Sequence, residues 1–115
     1  MKKLEYSQIV RHKMKKLRSE LTAKFGNDVS QKALKIITTA ARNLLNFEDK
    51  GIAVSAMYDV ECDYRYLYVK HNYLFYRIEK NKIIIVEMFD EREDFMQKLF
   101  GIISISKGEE EYWGE

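Results

Sequence analysis

Aromatic and cationic side chains alternate over a short stretch in the second half of the chain. Between residues 64 and 77 the sequence places Tyr64, Tyr66, Tyr68, Tyr73, Phe75 and Tyr76 among Arg65, Lys70, His71 and Arg77. Aromatic rings stack on unpaired bases and cationic groups bind phosphate oxygens. Such a surface can therefore bind RNA. The alternative is that the rings are ordinary strand residues packed on a small sheet.

His71 is the candidate for proton transfer in this stretch, because imidazole titrates near neutral pH. A histidine between two strands is also an ordinary turn residue, and both interpretations stay open. The carboxylates of residues 90–94 indicate a solvated turn in which Asp94 caps a helix, rather than a metal site. Cys62 and the two histidines stand alone, so we expect no zinc, no other metal, no cofactor and no intramolecular disulfide.

A second cationic feature lies at the start of the chain. Residues 1–25 carry eight Lys or Arg residues and two Glu residues. On a helical wheel Arg11, Lys15 and Arg18 share one stripe, which can follow a phosphate backbone. The alternative is a solvated helix face without a partner.

The elements that position these residues begin with a predicted strand at residues 3–6 and two helices. Ser7 caps the first helix and Gly26 ends it. Its apolar residues recur at steps of three and four: Ile9, Val10, Met14, Leu17, Leu21 and Phe25. Asn27 or Asp28 is expected to cap the second helix, whose apolar side comprises Val29, Ala33, Ile36, Ile37, Ala40, Leu44 and Leu45. So short a connection predicts an antiparallel helical hairpin.

The second half of the chain has the pattern of strands. Residues 52–63 lack periodicity and indicate irregular structure, and residues 64–70 and 73–79 predict a hairpin that turns at residues 71–72. Alternation along the second of these strands favours Leu74, Tyr76 and Ile78 as its core side. Residues 82–89 are apolar on both faces, as in a central strand. Residues 95–100 predict a short helix that ends at Gly101. This order predicts an α+β fold in which the helical hairpin packs on one face of a mainly antiparallel sheet.

The composition is that of one globular domain. The chain has 115 residues, of which 46% are hydrophobic, and 20 Lys and Arg residues nearly balance 18 Asp and Glu residues. We expect a single domain over residues 1–105 and an acidic, flexible tail over residues 106–115. No signal-peptide core and no long apolar run occur in the sequence, which indicates a cytoplasmic protein without a membrane segment.

An ordered set of motifs between residues 63 and 101 resembles the RelE/ParE superfamily of type II toxin-antitoxin toxins, which includes plasmid stabilisation proteins. The set comprises an Arg-bearing strand, a Tyr-Arg-Ile strand, an apolar strand, a charged turn and a Leu-Phe pair, here at residues 63–69, 74–79, 83–86, 89–94 and 99–100. The resemblance implies a RelE/ParE-like sheet behind the basic helical hairpin, and a short C-terminal helix. It also implies a toxin that a cognate antitoxin neutralises, with operator DNA contacted only through that antitoxin.

Two mechanisms occur in this superfamily. RelE-type members cleave mRNA on the ribosome without a metal, whereas ParE-type members poison DNA gyrase and are not nucleases. We expect the first, a ribosome-dependent mRNA endoribonuclease, or mRNA interferase. The alternatives are a non-enzymatic gyrase inhibitor, in which the helical hairpin carries the effect, and an inactive binding module.

The resemblance assigns site residues by position. Arg92 matches the Arg of the family's turn and Arg65 the Arg of its strand, while Asp90, Glu93 and Tyr73 stand where many members have His or Arg. For RNA cleavage we expect the following roles: Arg65, Arg77 and Arg92 bind the phosphate and its transition state, His71 or Tyr73 transfers a proton, and Lys70 with Arg11, Lys15 and Arg18 binds RNA.

Overall fold

The computed structural model describes residues 2–58 and 62–92, with the side chains of residues 57 and 58 left aside. The chain runs through β1 (Lys3–Tyr6), α1 (Gln8–Phe25), α2 (Asn27–Asn43), a 3-10 turn (Glu48–Lys50), β2 (Ile52–Ala53), α3 (Val54–Tyr58), β3 (Tyr64–Val69), β4 (Asn72–Ile78) and β5 (Lys82–Asp90). The α+β class and the order of β1, α1, α2, β3, β4 and β5 are as predicted, whereas β2 and α3 were not predicted. The predicted C-terminal helix and the acidic tail lie outside the described residues.

Two capping residues, Ser7 and Gly26, set the two ends of α1 in the helical hairpin. The Ser7 hydroxyl accepts the Val10 N–H at 3.1 Å, which satisfies a donor in the first turn of α1 as predicted. Gly26 ends α1 at φ +92° and ψ 170°, a conformation that side chains other than that of glycine rarely adopt. Gly26 is also the residue that precedes α2, so the prediction that Asn27 or Asp28 caps this helix is wrong. The backbone leaves no room between the helices for a separate capping residue.

The sheet has five strands in the order β1-β5-β4-β3-β2. β1 pairs with β5 in parallel, and the other neighbours are antiparallel. The β3–β4 turn consists of Lys70 and His71, at φ 52° and 66°, one residue earlier than predicted. Positive φ at both positions gives a two-residue turn whose twist matches that of the strands, so Asn72 joins β4 and pairs with Val69.

The main core lies between the helical hairpin and the sheet. Its fully buried residues are Val10, Ile37, Ala41, Leu44, Leu74, Tyr76, Ile83, Ile85 and Met88. The buried stripe of α2 also contains Ser30 and Ala33, whereas Val29 and Ile36 are each 45% exposed, against prediction. Ser30 of this stripe accepts a hydrogen bond from the Thr22 hydroxyl of α1. Because neighbouring helix positions differ by about 100°, Val29 and Ile36 lie beside the buried stripe and not within it.

A smaller cluster lies on the other face of the sheet. Val54 of α3, Tyr66, Phe75 and Phe89 are buried there, with Val86 against them. β5 therefore has apolar residues on both faces, as predicted for a central strand. The prediction of irregular structure at residues 52–63 is wrong at its start, because β2 pairs with β3, a contact that local periodicity does not reveal.

No helix in residues 2–58 or 62–92 is long and apolar enough to cross a bilayer.

Candidate functional site

The five residues predicted for RNA cleavage lie at two ends of the sheet. His71 is in the β3–β4 turn, and Arg92 follows β5 close to it, since Asn72 pairs with Asp90. Arg77 is six residues beyond His71 along β4, a separation of roughly 20 Å at the rise of a strand. Arg65 lies near Arg77 in the sheet but on the opposite face, because it pairs with Tyr76 while Arg77 pairs with Tyr64. The fold does not gather the five around one point.

Each of the three arginines already donates to an oxygen of the chain. Arg65 Nε and Nη2 donate to the carbonyls of Gly51 and Asp49, both at 3.1 Å. Arg77 Nε and Nη2 donate to one carboxylate oxygen of Glu79, at 3.0 and 2.6 Å. Arg92 Nε donates to Asp90 Oδ1 at 2.9 Å, and this hydrogen bond holds the pKa of Asp90 below its ordinary range. These guanidinium groups have local acceptors.

Arg65 belongs to a structural clamp with Tyr76. The buried Tyr76 hydroxyl donates to the Glu48 carbonyl at 2.7 Å and accepts the Gly51 N–H at 2.9 Å. Burial raises the pKa of this hydroxyl, which therefore stays protonated. A Cβ at Gly51 would lie 2.5 Å from the Tyr76 oxygen and 2.8 Å from the Tyr66 carbonyl, so glycine is required there. Together the two side chains hold the 3-10 turn and β2 against β3.

At the hairpin tip, His71 and Tyr68 both bind Glu91. His71 Nδ1 lies 2.9 Å from Glu91 Oε2, and the Tyr68 hydroxyl donates to the other carboxylate oxygen. The hydrogen bond from Tyr68, with that from His71, lowers the pKa of Glu91. The Tyr73 ring packs against Tyr68 and Tyr66, with centroids 5.1 and 5.7 Å apart. The two proton-transfer candidates thus lie near each other, but without an arginine whose charge is unoccupied.

A groove separates the helical hairpin from the tip of the sheet; we call it the tip groove. Its volume is about 510 Å³, and its apolar wall comes from the helices: Leu17, Leu21, Phe25, Val29, Ala33 and Ile37. Lys24, Lys70 and Arg92 contribute cations at its rim, and Glu20, Asp90 and Glu91 contribute carboxylates. Phe25 is 62% exposed and Val29 is 45% exposed. Sequence reasoning missed this groove because it assigned both residues to the core.

A second surface runs along the outside of the helical hairpin; we call it the crease. As predicted, Arg11, Lys15 and Arg18 are exposed on one stripe of α1. Lys15 and Arg18 line a shallow depression whose floor is formed by Met14, Gln31 and Leu34. Lys35 and Arg42 share a stripe of α2 with Gln31, at helical steps of four and seven residues. Lys70, the fourth predicted phosphate ligand, lies apart from them at the tip groove.

In the part of the chain that the structure describes, no group of three His, Cys, Asp or Glu residues is placed to hold a metal ion. No set of residues there indicates a cofactor site.

Comparison with known proteins adds the family. The family described as "ParE toxin of type II toxin-antitoxin system, parDE" matches residues 4–95, which is most of the chain. A solved structure titled "Chromosomal ParDE TA system from P. aeruginosa" has a similar fold, with a TM-score of 0.65 and 15% sequence identity. The alignment covers 78% of this chain and 96% of that one. No curated protein matches. On the extent of the family match, this chain belongs to the ParE toxin family of type II toxin-antitoxin systems.

Proposed function

We propose that this toxin inhibits DNA gyrase without catalysing a reaction, and that a cognate antitoxin neutralises it. Membership of the ParE family supports the first part, since ParE-type toxins characteristically act on gyrase. The observation that carries the proposal is that the cations expected for RNA cleavage lie at two ends of the sheet, each already bound to the chain.

Cleavage of a phosphodiester by in-line attack needs its proton acceptor and its cations around one phosphate, within hydrogen-bonding distance of the reacting atoms. A separation of roughly 20 Å between His71 and Arg77 along β4 does not provide this. The other positions add no charge, because Asp90 and Tyr73 stand where nucleases of the superfamily often have a basic side chain. We therefore prefer gyrase inhibition to mRNA cleavage, which was our first expectation from the sequence.

The tip groove is the surface that we propose for the antitoxin. Its apolar wall accepts the apolar side of an amphipathic segment, and Lys24 and Lys70 at the rim pair with carboxylates on the segment's polar side. Exposed Phe25 and Val29 would be buried by such a partner. Operator DNA would then be contacted through the antitoxin.

This function also fits the other expectations from the sequence. A gyrase inhibitor acts in the cytoplasm, and we propose that residues 1–105 form the single toxin domain, followed by the acidic tail.

A supercoiling assay tests the function. Purified toxin is added to gyrase with relaxed plasmid, and to a translation extract in which new mRNA 5′ ends are mapped. We expect inhibition of supercoiling, no new mRNA ends, and full inhibition by the Arg77→Gln variant, since Arg77 is bound to Glu79. New mRNA ends that disappear in Arg77→Gln, with supercoiling unaffected by the wild-type toxin, would replace gyrase inhibition by RNA cleavage.

A further inference from the structure

Five cations lie along the crease. Arg11, Lys15 and Arg18 come from α1, and Lys35 and Arg42 come from α2. Arg42 is in the last turn of α2, which lies beside the first turn of α1, where Arg11 Nε donates to the Tyr6 carbonyl.

The helical hairpin has two acidic residues. Glu20 lines the tip groove, whereas Asp28, in the first turn of α2, lies seven residues before Lys35 and so continues the α2 stripe of the crease at its end. Among the residues that the structure describes, the five cations of the crease therefore outnumber its carboxylates.

Within residues 2–58 and 62–92, these five cations have no bonded anionic partner. Among the described residues no hydrogen bond or ion pair joins any of the five to a carboxylate, and Arg11 donates only to a backbone carbonyl. By contrast, Arg77 and Lys82 in the sheet and Arg92 directly after β5 each form an ion pair. Like charges that gather on one face repel each other, and an external polyanion relieves that repulsion.

The spacing of the cations suits a nucleic-acid backbone. At 1.5 Å per residue, the stripe from Arg11 to Arg18 is about 10 Å long. One strand of duplex DNA rises about 3.4 Å along its axis for each phosphate, so the length of the stripe matches the rise of about three phosphates. Lys35 and Arg42 lie on the neighbouring helix, whose axis is about 8–10 Å away, and extend the contact sideways.

We propose that the crease binds the phosphate backbone of duplex DNA and holds the toxin against the DNA that gyrase carries. The second clause rests on the proposed function. A single strand is a poorer fit, because single-strand binding surfaces place aromatic rings among the cations, whereas the floor of the depression is Met14, Gln31 and Leu34. The aromatic cluster of Tyr66, Tyr73 and Phe75 is on the far face of the sheet. Contact through phosphates alone is independent of base sequence.

The test compares two triple variants of the full chain with equal net charge. Lys15→Gln/Arg18→Gln/Lys35→Gln removes three charges from the crease. Lys3→Gln/Lys50→Gln/Lys80→Gln removes three exposed charges from β1, the 3-10 turn and the β4–β5 turn. Glutamine is a good helix former, so we expect both variants to keep the circular dichroism spectrum of the wild-type toxin. Lys15→Glu is a second crease variant with a single change.

Binding to a short fluorescent DNA duplex is measured as a function of salt. At low salt we expect the affinity of the crease variant for the duplex to be lower than that of wild type by about tenfold or more. The plot of log K against log salt should become less steep by about 2.7, or 0.9 for each lost phosphate contact. The control variant should bind DNA with an affinity within about twofold of that of wild type. Lys15→Glu should bind DNA more weakly than the control variant. Equal binding by the two triple variants, or preference of the wild type for single-stranded RNA or polyglutamate over the duplex, overturns the proposal.

The supercoiling assay separates this inference from the proposed function. If wild type inhibits gyrase and the crease variant inhibits much less than the control, both hold. If wild type and crease variant inhibit gyrase equally, the role of the crease in gyrase inhibition fails while the proposed function stands. If wild type does not inhibit gyrase, the proposed function fails, and the salt-dependent binding still decides whether the crease takes duplex DNA.

Discussion

Single residues in this toxin show how one side-chain type serves different purposes. Arg65 in a strand beside tyrosines is compatible with a phosphate ligand, yet its acceptors are the carbonyls of Asp49 and Gly51. Every residue has a carbonyl, so the sequence contains no signal for this contact. The stripe of Arg11, Lys15 and Arg18, by contrast, follows from helical spacing alone, and its exposure was predicted correctly.

The Tyr76 hydroxyl should contribute to stability through its two hydrogen bonds in a buried position. We expect Tyr76→Phe to lower the free energy of unfolding by about 1–3 kcal/mol, because the Gly51 N–H loses its acceptor. Urea denaturation measures the change. Tyr68→Phe is the control, since its hydroxyl binds Glu91 at the surface, and it should cost less. Equal losses for the two variants would contradict the clamp.

Asp90 should make the toxin's stability depend on acid. The hydrogen bond from Arg92 holds the Asp90 pKa below its ordinary value of 3.8, so folding favours the ionised carboxylate. This contribution is present above that ordinary value and is lost as the pH falls through the lowered one. The advantage of wild type over Asp90→Asn should therefore shrink as the pH is lowered below about 4, in urea titrations over a pH series. Asp63→Asn, at an exposed carboxylate, controls for the change in net charge. If the stability difference between wild type and Asp90→Asn is the same at every pH, Asp90 does not make the stability depend on pH.

At the scale of elements, local sequence signals predicted that the two helices and the β3–β4 hairpin exist. Long-range contacts determine how α2 and β2 are placed in the fold. Ser7, Gly26 and the alternating strands identified the two helices and the β3–β4 hairpin from neighbours in the sequence. In α2 the buried Ser30 contacts Thr22 of α1, and β2 pairs with β3. Neither interaction has a periodic signature, so the exposure of Val29 and the path of residues 52–58 were predicted incorrectly.

Gly26 should be the residue on which the α1–α2 connection depends. Its φ of +92° and ψ of 170° are nearly exclusive to glycine, although no neighbouring atom would contact an added Cβ. We expect Gly26→Ala to destabilise the toxin by about 1–3 kcal/mol through backbone strain alone. Asn27→Ala, the next position along and within α2, should change the free energy of unfolding by less than about 0.5 kcal/mol. Thermal denaturation of both variants measures the two changes in stability. Equal destabilisation by Gly26→Ala and Asn27→Ala would contradict backbone strain at Gly26.

At the scale of the whole molecule, α1 presents two separate surfaces. Leu17 and Leu21 line the tip groove, while Lys15 and Arg18 line the crease. A partner in one surface need not touch residues of the other. The antitoxin and a polyanion can therefore be tested for simultaneous binding.

Two exposed phenylalanines provide a matched test of the tip groove. Phe25 is 62% exposed within the groove and Phe47 is 65% exposed outside it. We expect Phe25→Asp to weaken antitoxin binding about tenfold or more, equivalent to at least 1.4 kcal/mol, because a carboxylate would replace an apolar contact. Phe47→Asp should leave binding within about twofold. Calorimetry with purified antitoxin measures both, and equal effects would place the antitoxin elsewhere.

The parallel pairing of β1 with β5 links the two ends of the described chain in time as well as in space. Lys3 pairs with Lys82 and Tyr6 with Ile85, and the Ser7 hydroxyl donates to the Val86 carbonyl 79 residues later in the sequence. During synthesis the β3–β4 hairpin can form as soon as it emerges from the ribosome. By contrast, β1 cannot pair until β5 has been synthesised. A toxin truncated before β5 therefore lacks both the partner of its first strand and the three buried core residues that β5 supplies, Ile83, Ile85 and Met88. A prematurely terminated or partly translated chain should be harmless to the cell that makes it.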